Sequence, residues 1–139
     1  MAKSAQTNTP RIFISSAWED KTLARRLEAD LTAAGAEVWI DQSGIRLGEN
    51  FPQRISEALN WCNTLVLIWS KAASKSHWVK LEWTNAVYLK KMIIPCSLDN
   101  SQLPIIPGSK AYLDFRNIDH GIAELLHALK LSQQSMMPA

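Results

Sequence analysis

Residues 70–89, SKAASKSHWVKLEWTNAVYL, form the stretch around which the rest of the chain is organised. The segment starts with a short polar approach, and a cap at Ser74 or Ser76 then predicts the start of a helix. At 100° per residue, its apolar side chains fall nearly all round the helix, as they do in a core helix. Glu82 lies inside this apolar arc, four residues after Trp78 and on the same face.

A glutamate in an apolar arc has two interpretations. Buried acids are rare unless they are paired or in use, so Glu82 is a candidate functional residue. The other interpretation is a partly exposed glutamate at the edge of a core helix, with its carboxylate reaching solvent. The pattern of this helix leaves both interpretations open.

Length and composition predict one globular domain. With 139 residues the chain is long enough for its own core, and 47% hydrophobic and 20% charged residues are ordinary for a soluble protein. We expect an N-terminal tail over residues 1–10, a domain over residues 11–130 and a C-terminal tail over residues 131–139. The formal net charge of +2 is too small to indicate a nucleic acid or a membrane surface as partner.

Apolar segments give no sign of membrane insertion or export. No apolar run approaches the roughly 18 residues that a membrane-spanning helix needs. The first ten residues, MAKSAQTNTP, lack the apolar core of a signal peptide. We therefore expect a cytoplasmic protein.

Cysteines and histidines do not form a recognisable site in the sequence. Cys62 and Cys96 lack partners at metal-ligand spacing, and we expect two buried, free thiols. His77, His120 and His127 are spread along the chain, with no spacing typical of a triad or a metal site. The sequence therefore predicts no bound metal.

Apolar runs alternate with helical patterns along the chain. Leu23, Leu27 and Leu31 recur every four residues before Gly35, as in an amphipathic helix that ends at a glycine. Five short apolar runs predict strands at residues 11–15, 37–40, 64–69, 92–98 and 112–115. This alternation favours an α/β fold, a flavodoxin-like three-layer sandwich whose five parallel strands have the order 2-1-3-4-5.

Two details of the local pattern make narrower predictions. Residues 16–19, Ser-Ala-Trp-Glu, have the form of a capping box, which predicts a helix starting at Ser16. Pro95 cannot donate a backbone hydrogen bond, which predicts that the fourth strand ends there.

The predicted topology places the candidate residues in one crevice. Ligands of such sheets bind beyond the carboxyl ends of the strands, where strands one and three diverge. The turn after the first strand should therefore lie opposite Trp69 and Ser70, with the start of the central helix directly above. That brings Glu82 and Trp78 to this crevice.

Several activities of this fold class lack their residues here. A phospho-receiver needs acidic residues after strand one and an Asp at the end of strand three, where this chain has Ser15-Ser16 and Trp69-Ser70. The turn after strand one has no glycine for a flavin phosphate, and no Walker-type or GxGxxG loop occurs.

A single carboxylate in an aromatic-lined crevice fits cleavage of an N-glycosidic bond in NAD⁺. Nicotinamide is cationic in the bond and neutral after it leaves, so no general acid is required. The transition state is oxocarbenium-like, and a fixed carboxylate can stabilise its charge and hold the ribose hydroxyls. Trp78 could pack against the ribose or a base, although a core position is equally compatible with the pattern.

Three motifs resemble those of TIR (Toll/interleukin-1 receptor) domains, in the same order and spacing. RIFISSAWED at residues 11–20 resembles the first-strand motif, and VWIDQSGIRLGENF at residues 38–51 resembles the second strand with its BB loop. SHWVKLEW at residues 76–83 resembles the tryptophan-xxx-glutamate helix of the enzymatic, bacterial-type members. The resemblance spans residues 11–129.

For the enzymatic branch, the resemblance implies cleavage of NAD⁺, as a substrate and not a cofactor, to nicotinamide and ADP-ribose or a cyclic isomer. It implies that Glu82 is catalytic. The substrate-contacting positions that it implies are Ser16, Ala17, Arg46, Ser76 and Trp78. Ser16 departs from the family, because an aromatic residue or a histidine is frequent there.

The resemblance also implies self-association through the BB loop. Residues 41–50 carry Gly44 and Gly48, and the tip that would dock on a neighbouring copy consists of Ile45, Arg46, Leu47 and Gly48. An ordinary surface loop is the other interpretation. Bacterial members of this kind are often immune effectors, and many are one domain of a longer chain.

Three functions remain open at this point. The chain is an NAD⁺ nucleosidase, a non-catalytic TIR module that acts through TIR–TIR association, or an enzyme similar to nucleoside deoxyribosyltransferases. An adaptor does not need a carboxylate on the face of Glu82. A deoxyribosyltransferase would act on nucleosides and ignore NAD⁺.

Overall fold

The computed structural model describes residues 9–40 and 51–131, which form a sheet with helices on both faces. The strands are β1 (Arg11–Ser15), β2 (Glu37–Ile40), β3 (Thr64–Trp69), β4 (Met92–Ser97) and β5 (Leu113–Asp114). They are parallel throughout, in the order β2-β1-β3-β4-β5. The flavodoxin-like α/β fold that the sequence predicts is therefore confirmed.

Helices follow β1, β2, β3 and β5 along the chain. They are α1 (Lys21–Ala33), α2 (Phe51–Trp61), α3 (Lys71–Ser74), α4 (His77–Tyr88) and α5 (Ile118–Ala128), and a 3₁₀ turn, Trp18–Asp20, precedes α1. Helix α1 is followed by Gly35, whose φ of 107° suits a glycine better than any other residue. No helix in the described part of the chain is both long and apolar enough to cross a bilayer.

Strand β3 lies at the centre of the sheet and is buried over its whole length. A continuous apolar run suits such a strand because helices cover both of its faces. Side chains alternate along β1, so Ile12 and Ile14 pack with α1 and α5, and Phe13 packs with α2 and α4. We call these two apolar regions the α1/α5 layer and the α2/α4 layer.

The capping box predicted at Ser16 is wrong. The 3₁₀ turn intervenes, so α1 begins at Lys21, and neither the turn nor α1 has a side-chain cap at its start. Ser16 is only 7% exposed at the end of β1, and the turn closes through the Asp20 backbone N–H, which donates to Ala17 O at 2.9 Å. A buried serine that directly continues a strand cannot take the position of an exposed helix cap.

The prediction that β4 ends at Pro95 is also wrong, because Pro95 lies inside the strand, opposite Leu67 of β3. The carbonyls of Ile93 and Ser97 accept hydrogen bonds from the β5 side of the sheet. Pro95 lies two residues from each, so its missing donor faces that same side. Strand β5 pairs only with the last two residues of β4, so no ladder bond is lost.

The approach to the central helix is more structured than the sequence predicts. Residues 71–74 form the short helix α3, whose start is capped by Ser70: its Oγ accepts from the Ala73 N–H at 3.1 Å. Of the two caps proposed for α4, the structure selects Ser76, whose Oγ accepts from the Val79 N–H.

Both cysteines are buried and free, as predicted. Cys62 lies just before β3 and Cys96 near the carboxyl end of β4, so the two thiols are at opposite ends of neighbouring strands. Burial raises the pKa of both thiols, which keeps them protonated at neutral pH.

Candidate active site

The candidate site lies where β1 and β3 end side by side. Ser15, the last residue of β1, pairs with Leu67 of β3. Because the strands are parallel, the chain leaves both of them at the same edge of the sheet. Helix α4 follows β3 and α3, and it packs in the α2/α4 layer on one face of the two strands.

Glu82 is fully buried in this arrangement. Its side chain is 0% exposed, and its Oε1 accepts a hydrogen bond from Ser15 Oγ at 2.6 Å. Ser15 lies two residues after Phe13, so both side chains point into the α2/α4 layer. Of the two interpretations of Glu82 left open by the sequence, the partly exposed edge residue is therefore excluded.

The short bond between a hydroxyl and a carboxylate connects two elements that are 67 residues apart in the sequence. Charge-assisted hydrogen bonds of this length are among the stronger ones, so Ser15 fixes the position of the carboxylate. Sequence reasoning did not identify Ser15 as a partner of Glu82. The signal was present, because a serine at an inward-facing strand position needs a buried hydrogen-bond partner.

Ser16 and Ala17 follow Ser15 directly, so the fold places both predicted contact residues beside the partner of Glu82. They are 7% and 3% exposed. Trp18, the next residue, is half exposed, and the Nζ of Lys21 lies 3.7 Å from the centroid of its ring. The turn thus presents an indole to solvent while its first residues are covered.

Ser76 and Trp78 lie on the first turn of α4. The Ser76 hydroxyl accepts from the Val79 N–H at 3.2 Å, so its oxygen is engaged in capping the helix. Trp78 is partly buried against the α2/α4 layer, with its ring centroid 5.6 Å from that of His77. Trp78 therefore lies one helical turn before Glu82, as the sequence predicts.

The remaining predicted positions belong to the BB loop. Arg46, the predicted substrate contact, and its neighbours Ile45, Leu47 and Gly48 lie outside the described residues.

A second serine–carboxylate pair lies at the same edge of the sheet. Ser70 Oγ donates to Asp20 Oδ2 at 2.5 Å and so connects the first residue after β3 to the end of the 3₁₀ turn. Partial burial raises the pKa of Asp20, and the bond from Ser70 opposes that shift. Sequence reasoning did not single out Asp20, because nothing local marks the aspartate of SSAWED as partly buried.

Asp99 extends this set of contacts to the loop after β4. Its Oδ2 accepts from the Lys71 N–H at 3.0 Å and its Oδ1 accepts from the Ser101 N–H at 2.9 Å. These two backbone donors lower the pKa of Asp99 and keep it ionised.

Two clefts on the surface do not include Glu82. A polar cleft of about 230 Å³ lies beyond the carboxyl ends of β4 and β5, where Tyr112, Asp114 and Arg116 line it. A more apolar groove of about 190 Å³ runs between α2 and α4, where Leu59 and Leu81 face each other. Within residues 9–40 and 51–131, no three His, Cys, Asp or Glu side chains are grouped to hold a metal ion.

Sequence comparisons connect this arrangement to known proteins. The chain is 38% identical over 73 residues to the NAD(+) hydrolase PdTIR of Paracoccus denitrificans, which is 52% of this chain and 23% of that protein. It is 28% identical over 133 residues to the probable 2′ cyclic ADP-D-ribose synthase BdTIR of Brachypodium distachyon, which covers 89% and 59%. The chain thus spans less than two thirds of either relative.

Solved structures share the fold. The TIR domain of a Toll-related receptor from Hydra magnipapillata matches with a TM-score of 0.71 at 21% identity, over 88% of this chain and 99% of that one. A 2-deoxyribosyltransferase from Bacillus psychrosaccharolyticus matches with a TM-score of 0.62 at 16% identity, over 73% and 84%. The family model described as TIR domain matches residues 12–126, nearly the whole domain. The chain therefore belongs to the TIR domain family.

Proposed function

We propose that this TIR domain cleaves the nicotinamide–ribose bond of NAD⁺ and releases nicotinamide and either ADP-ribose or a cyclic ADP-ribose. The observation that carries the proposal is Glu82, a carboxylate with 0% exposure that is fixed by Ser15 at the switch point of the sheet. Relatives named as an NAD(+) hydrolase and a cyclic ADP-D-ribose synthase support the same substrate.

The chemistry requires little besides a positioned charge. When the C1′–N bond breaks, its electron pair stays on the nicotinamide nitrogen, which becomes neutral and needs no proton. The ribose becomes oxocarbenium-like, and the negative charge of Glu82 stabilises it. A water molecule then attacks C1′ and releases a proton to give ADP-ribose, or a hydroxyl or base nitrogen of the same molecule attacks to give a cyclic product.

The other predicted residues take positioning roles in this proposal. Ser16 and Ala17 contact the nucleotide from the turn after β1, and Trp78 packs against the ribose or a base. Ser76 holds the first turn of α4 by its cap, which leaves its hydroxyl hydrogen for the ligand. Arg46 adds a positive charge from the BB loop toward the pyrophosphate.

Full burial of Glu82 has a consequence for activity. A carboxylate that no solvent reaches has to be uncovered before it can contact a ribose. Self-association through the BB loop would supply the free energy for such an opening, because binding stabilises whichever conformation it prefers. We therefore propose low activity of the dilute chain and a signalling role, in bacterial immunity or stress, in which assembly activates the enzyme.

Glu82→Gln tests the catalytic assignment. The swap is nearly isosteric and keeps an acceptor oxygen for Ser15 while removing the charge. Turnover of NAD⁺ should fall by about 10²–10³-fold, the size seen when one electrostatic contact to a transition state is lost. Products are separated by chromatography after incubation with concentrated protein. Glu57→Gln, at an exposed position of α2, is the matched control.

A Glu82→Gln protein that is folded, as judged by its circular dichroism and melting temperature, and that retains wild-type turnover would refute the assignment. Incubation with nucleosides in place of NAD⁺ distinguishes an NAD⁺ nucleosidase from a deoxyribosyltransferase. A deoxyribosyltransferase would exchange the bases of the nucleosides and leave NAD⁺ intact.

Concentration dependence tests assembly. If neighbouring copies complete the site, specific activity should rise with protein concentration or crowding, since head-to-tail contacts can build open filaments. Arg46→Glu reverses the charge of the loop tip and should suppress both association and turnover while the monomer stays folded. Specific activity that is flat over a hundredfold range of concentration, with Arg46→Glu equal to wild type, would contradict a shared site.

A non-catalytic TIR module is the second candidate, and the same burial favours it. A glutamate that is closed off from solvent and bonded to Ser15 would also serve as a structural link between α4 and β1. In that case concentrated wild-type protein should associate without consuming NAD⁺, and Glu82→Gln should lower the melting temperature with no effect on turnover.

A further inference from the structure

The turn between β1 and α1 is anchored at both of its ends. At its start Ser15 Oγ donates to Glu82 Oε1 at 2.6 Å, and at its end Asp20 Oδ2 accepts from Ser70 Oγ at 2.5 Å. Four residues lie between these anchors, among them Ser16 and Ala17. The turn is therefore bonded at two points to the chain that follows β3: to Ser70, the first residue after the strand, and to Glu82 of α4.

The second anchor is built into the edge of the sheet. Ser70 is 5% exposed, and its hydroxyl oxygen also accepts from the Ala73 N–H at 3.1 Å. A hydroxyl has one hydrogen to donate, and here it goes to Asp20. The backbone of the same turn closes on the aspartate as well, through the Asp20 N–H to Ala17 O at 2.9 Å. Both the side chain and the backbone of Asp20 thus determine the shape of the turn.

The contact continues to the helix that carries Glu82. Ser70 caps α3, and Asp99 fixes the next backbone N–H, that of Lys71, at 3.0 Å. Helix α3 leads within two residues to the cap of α4. Movement of Ser70 would therefore displace both the turn after β1 and the start of α4, which lie on opposite sides of the crevice.

We propose that Asp20 and Ser70 form a clasp that holds the substrate-contacting turn in register with Glu82, and that Asp20 is a positioning residue for this site. Asp20 touches no reacting atom in this proposal, because it acts through the turn whose residues Ser16 and Ala17 contact the substrate. The inference rests on the proposed function for its kinetic part. Its structural part stands without it.

Burial of Asp20 supports the proposal. Its carboxylate is partly desolvated, which raises its pKa and makes the charged form costly. Such a cost is retained in proteins where a buried acid has a use, and here the Asp20 carboxylate accepts a short hydrogen bond from Ser70. The charge itself is not required by the clasp, because any acceptor oxygen at that position can receive the serine hydrogen.

Four variants separate a clasp from a general loss of structure. Asp20→Ala and Ser70→Ala each remove one side of the bond, and the double variant removes both. Asp20→Asn keeps an acceptor oxygen and is the conservative rescue. Ser74→Ala is the matched control, because Ser74 is an exposed serine of the same short helix whose hydroxyl donates to Lys71 O.

Kinetics with NAD⁺ provide the first readout. Asp20→Ala and Ser70→Ala should each lower kcat/KM by about tenfold, mainly through KM, because misplaced contact residues weaken binding in both the ground state and the transition state. The double variant should be no worse than Ser70→Ala, which breaks the same contact and also removes the cap of α3. Asp20→Asn and Ser74→Ala should stay within about twofold of wild type.

Amide hydrogen exchange provides the second readout and needs no activity. The amide at position 20 should exchange about tenfold faster in Asp20→Ala and Ser70→Ala than in wild type, and the amide of Ile14 inside β1 should not change. If wild type leaves NAD⁺ intact, the proposed function fails, and exchange alone decides on the clasp. Unchanged exchange in Asp20→Ala, or Asp20→Asn as impaired as Asp20→Ala, would overturn the clasp.

Discussion

The two layers on either side of the sheet are built from different residues. The buried apolar side chains of the α1/α5 layer are aliphatic except for Phe115 and Cys96. The α2/α4 layer holds five of the six tryptophans of the chain: Trp39, Trp61, Trp69, Trp78 and Trp83. It also holds the buried carboxylate of Glu82.

This difference separates stability from function. Aliphatic side chains make up most of the α1/α5 layer, so the apolar area that they bury stabilises the fold. The α2/α4 layer contains groups that are costly to bury: the Glu82 carboxylate and the Trp83 Nε1, which lacks a hydrogen-bond partner among the described residues. Such local conflicts are expected where a site is located, while the rest of the fold compensates for them.

The largest change in the free energy of unfolding should come from a substitution at Gly121 of α5. A Cβ at this position would lie 2.7 Å from the ring of Phe115, closer than packed atoms can approach. Gly121→Ala should therefore lower the free energy of unfolding by about 1–3 kcal/mol, as overpacking of a filled core does. Denaturant unfolding, with wild type measured in parallel, gives this value.

Shortening the opposing ring provides the control. Phe115→Leu combined with Gly121→Ala should be more stable than the sum of the two single changes predicts, because the leucine vacates the space that the new methyl group needs. Gly121→Ala with wild-type stability would mean that the α1/α5 layer has spare room, and the contrast between the layers would then be wrong.

The Ser15–Glu82 pair should give the next largest effect. Glu82→Met removes the carboxylate and leaves the Ser15 hydroxyl buried without its acceptor. The double variant Ser15→Ala/Glu82→Met removes both polar groups and makes this part of the α2/α4 layer apolar. It should exceed Glu82→Met in unfolding free energy by about 1–2 kcal/mol, since a buried unsatisfied hydroxyl costs that much.

Ser15→Ala alone completes the cycle and reports the coupling between the two side chains. No gain of the double variant over Glu82→Met would show that the Ser15 hydroxyl finds another partner. The proposed function adds that every variant without Glu82 should lose turnover by about 10²-fold or more, however stable it is.

The sequence predicts most of the fold, because the sheet depends on patterns that single residues do not disturb. The run at Thr64–Trp69 is apolar throughout, and a strand covered on both faces is the simplest structure that buries it. The prediction that β4 ends at Pro95 is wrong because the effect of a proline depends on which neighbouring strand its nitrogen faces. That information comes from the pairing of β4 with β5 and is absent from the local sequence.

The site is less predictable than the fold, for a similar reason. The position of Glu82 in an apolar arc and its distance of four residues from Trp78 are properties of one helix, and the sequence contains both. The bonds from Ser15 to Glu82 and from Ser70 to Asp20 join residues 67 and 50 positions apart. Such partners become visible only after the parallel ends of β1 and β3 have been placed side by side.

The smallest effect concerns the backbone, where the two layers are alike. Helices α4 and α5 end in the same way: Lys90 and Lys130 each have a φ of 61°, and each donates its N–H to a carbonyl three residues earlier. The next N–H, of Lys91 or Leu131, donates to the carbonyl five residues earlier, at 3.0 and 2.8 Å. This hydrogen-bond pattern is the Schellman motif, which usually has glycine at the positive φ, as α1 has at Gly35.

Lys90→Gly and Lys130→Gly should therefore stabilise the protein by similar amounts. A left-handed conformation costs an L-residue about 1–2 kcal/mol, and glycine's extra entropy in the unfolded chain offsets about 0.5–1 kcal/mol of the gain. The expected increase in unfolding free energy is about 0.5 kcal/mol for each variant, and the two should add because the sites are on opposite faces. Both lysines are exposed, so neither substitution changes the packing of a layer.

Equal gains would show that the layers differ in side chains and not in backbone strain. If only Lys130→Gly is stabilising, α4 has a constraint at its carboxyl end that α5 lacks, and the difference between the layers then includes the backbone.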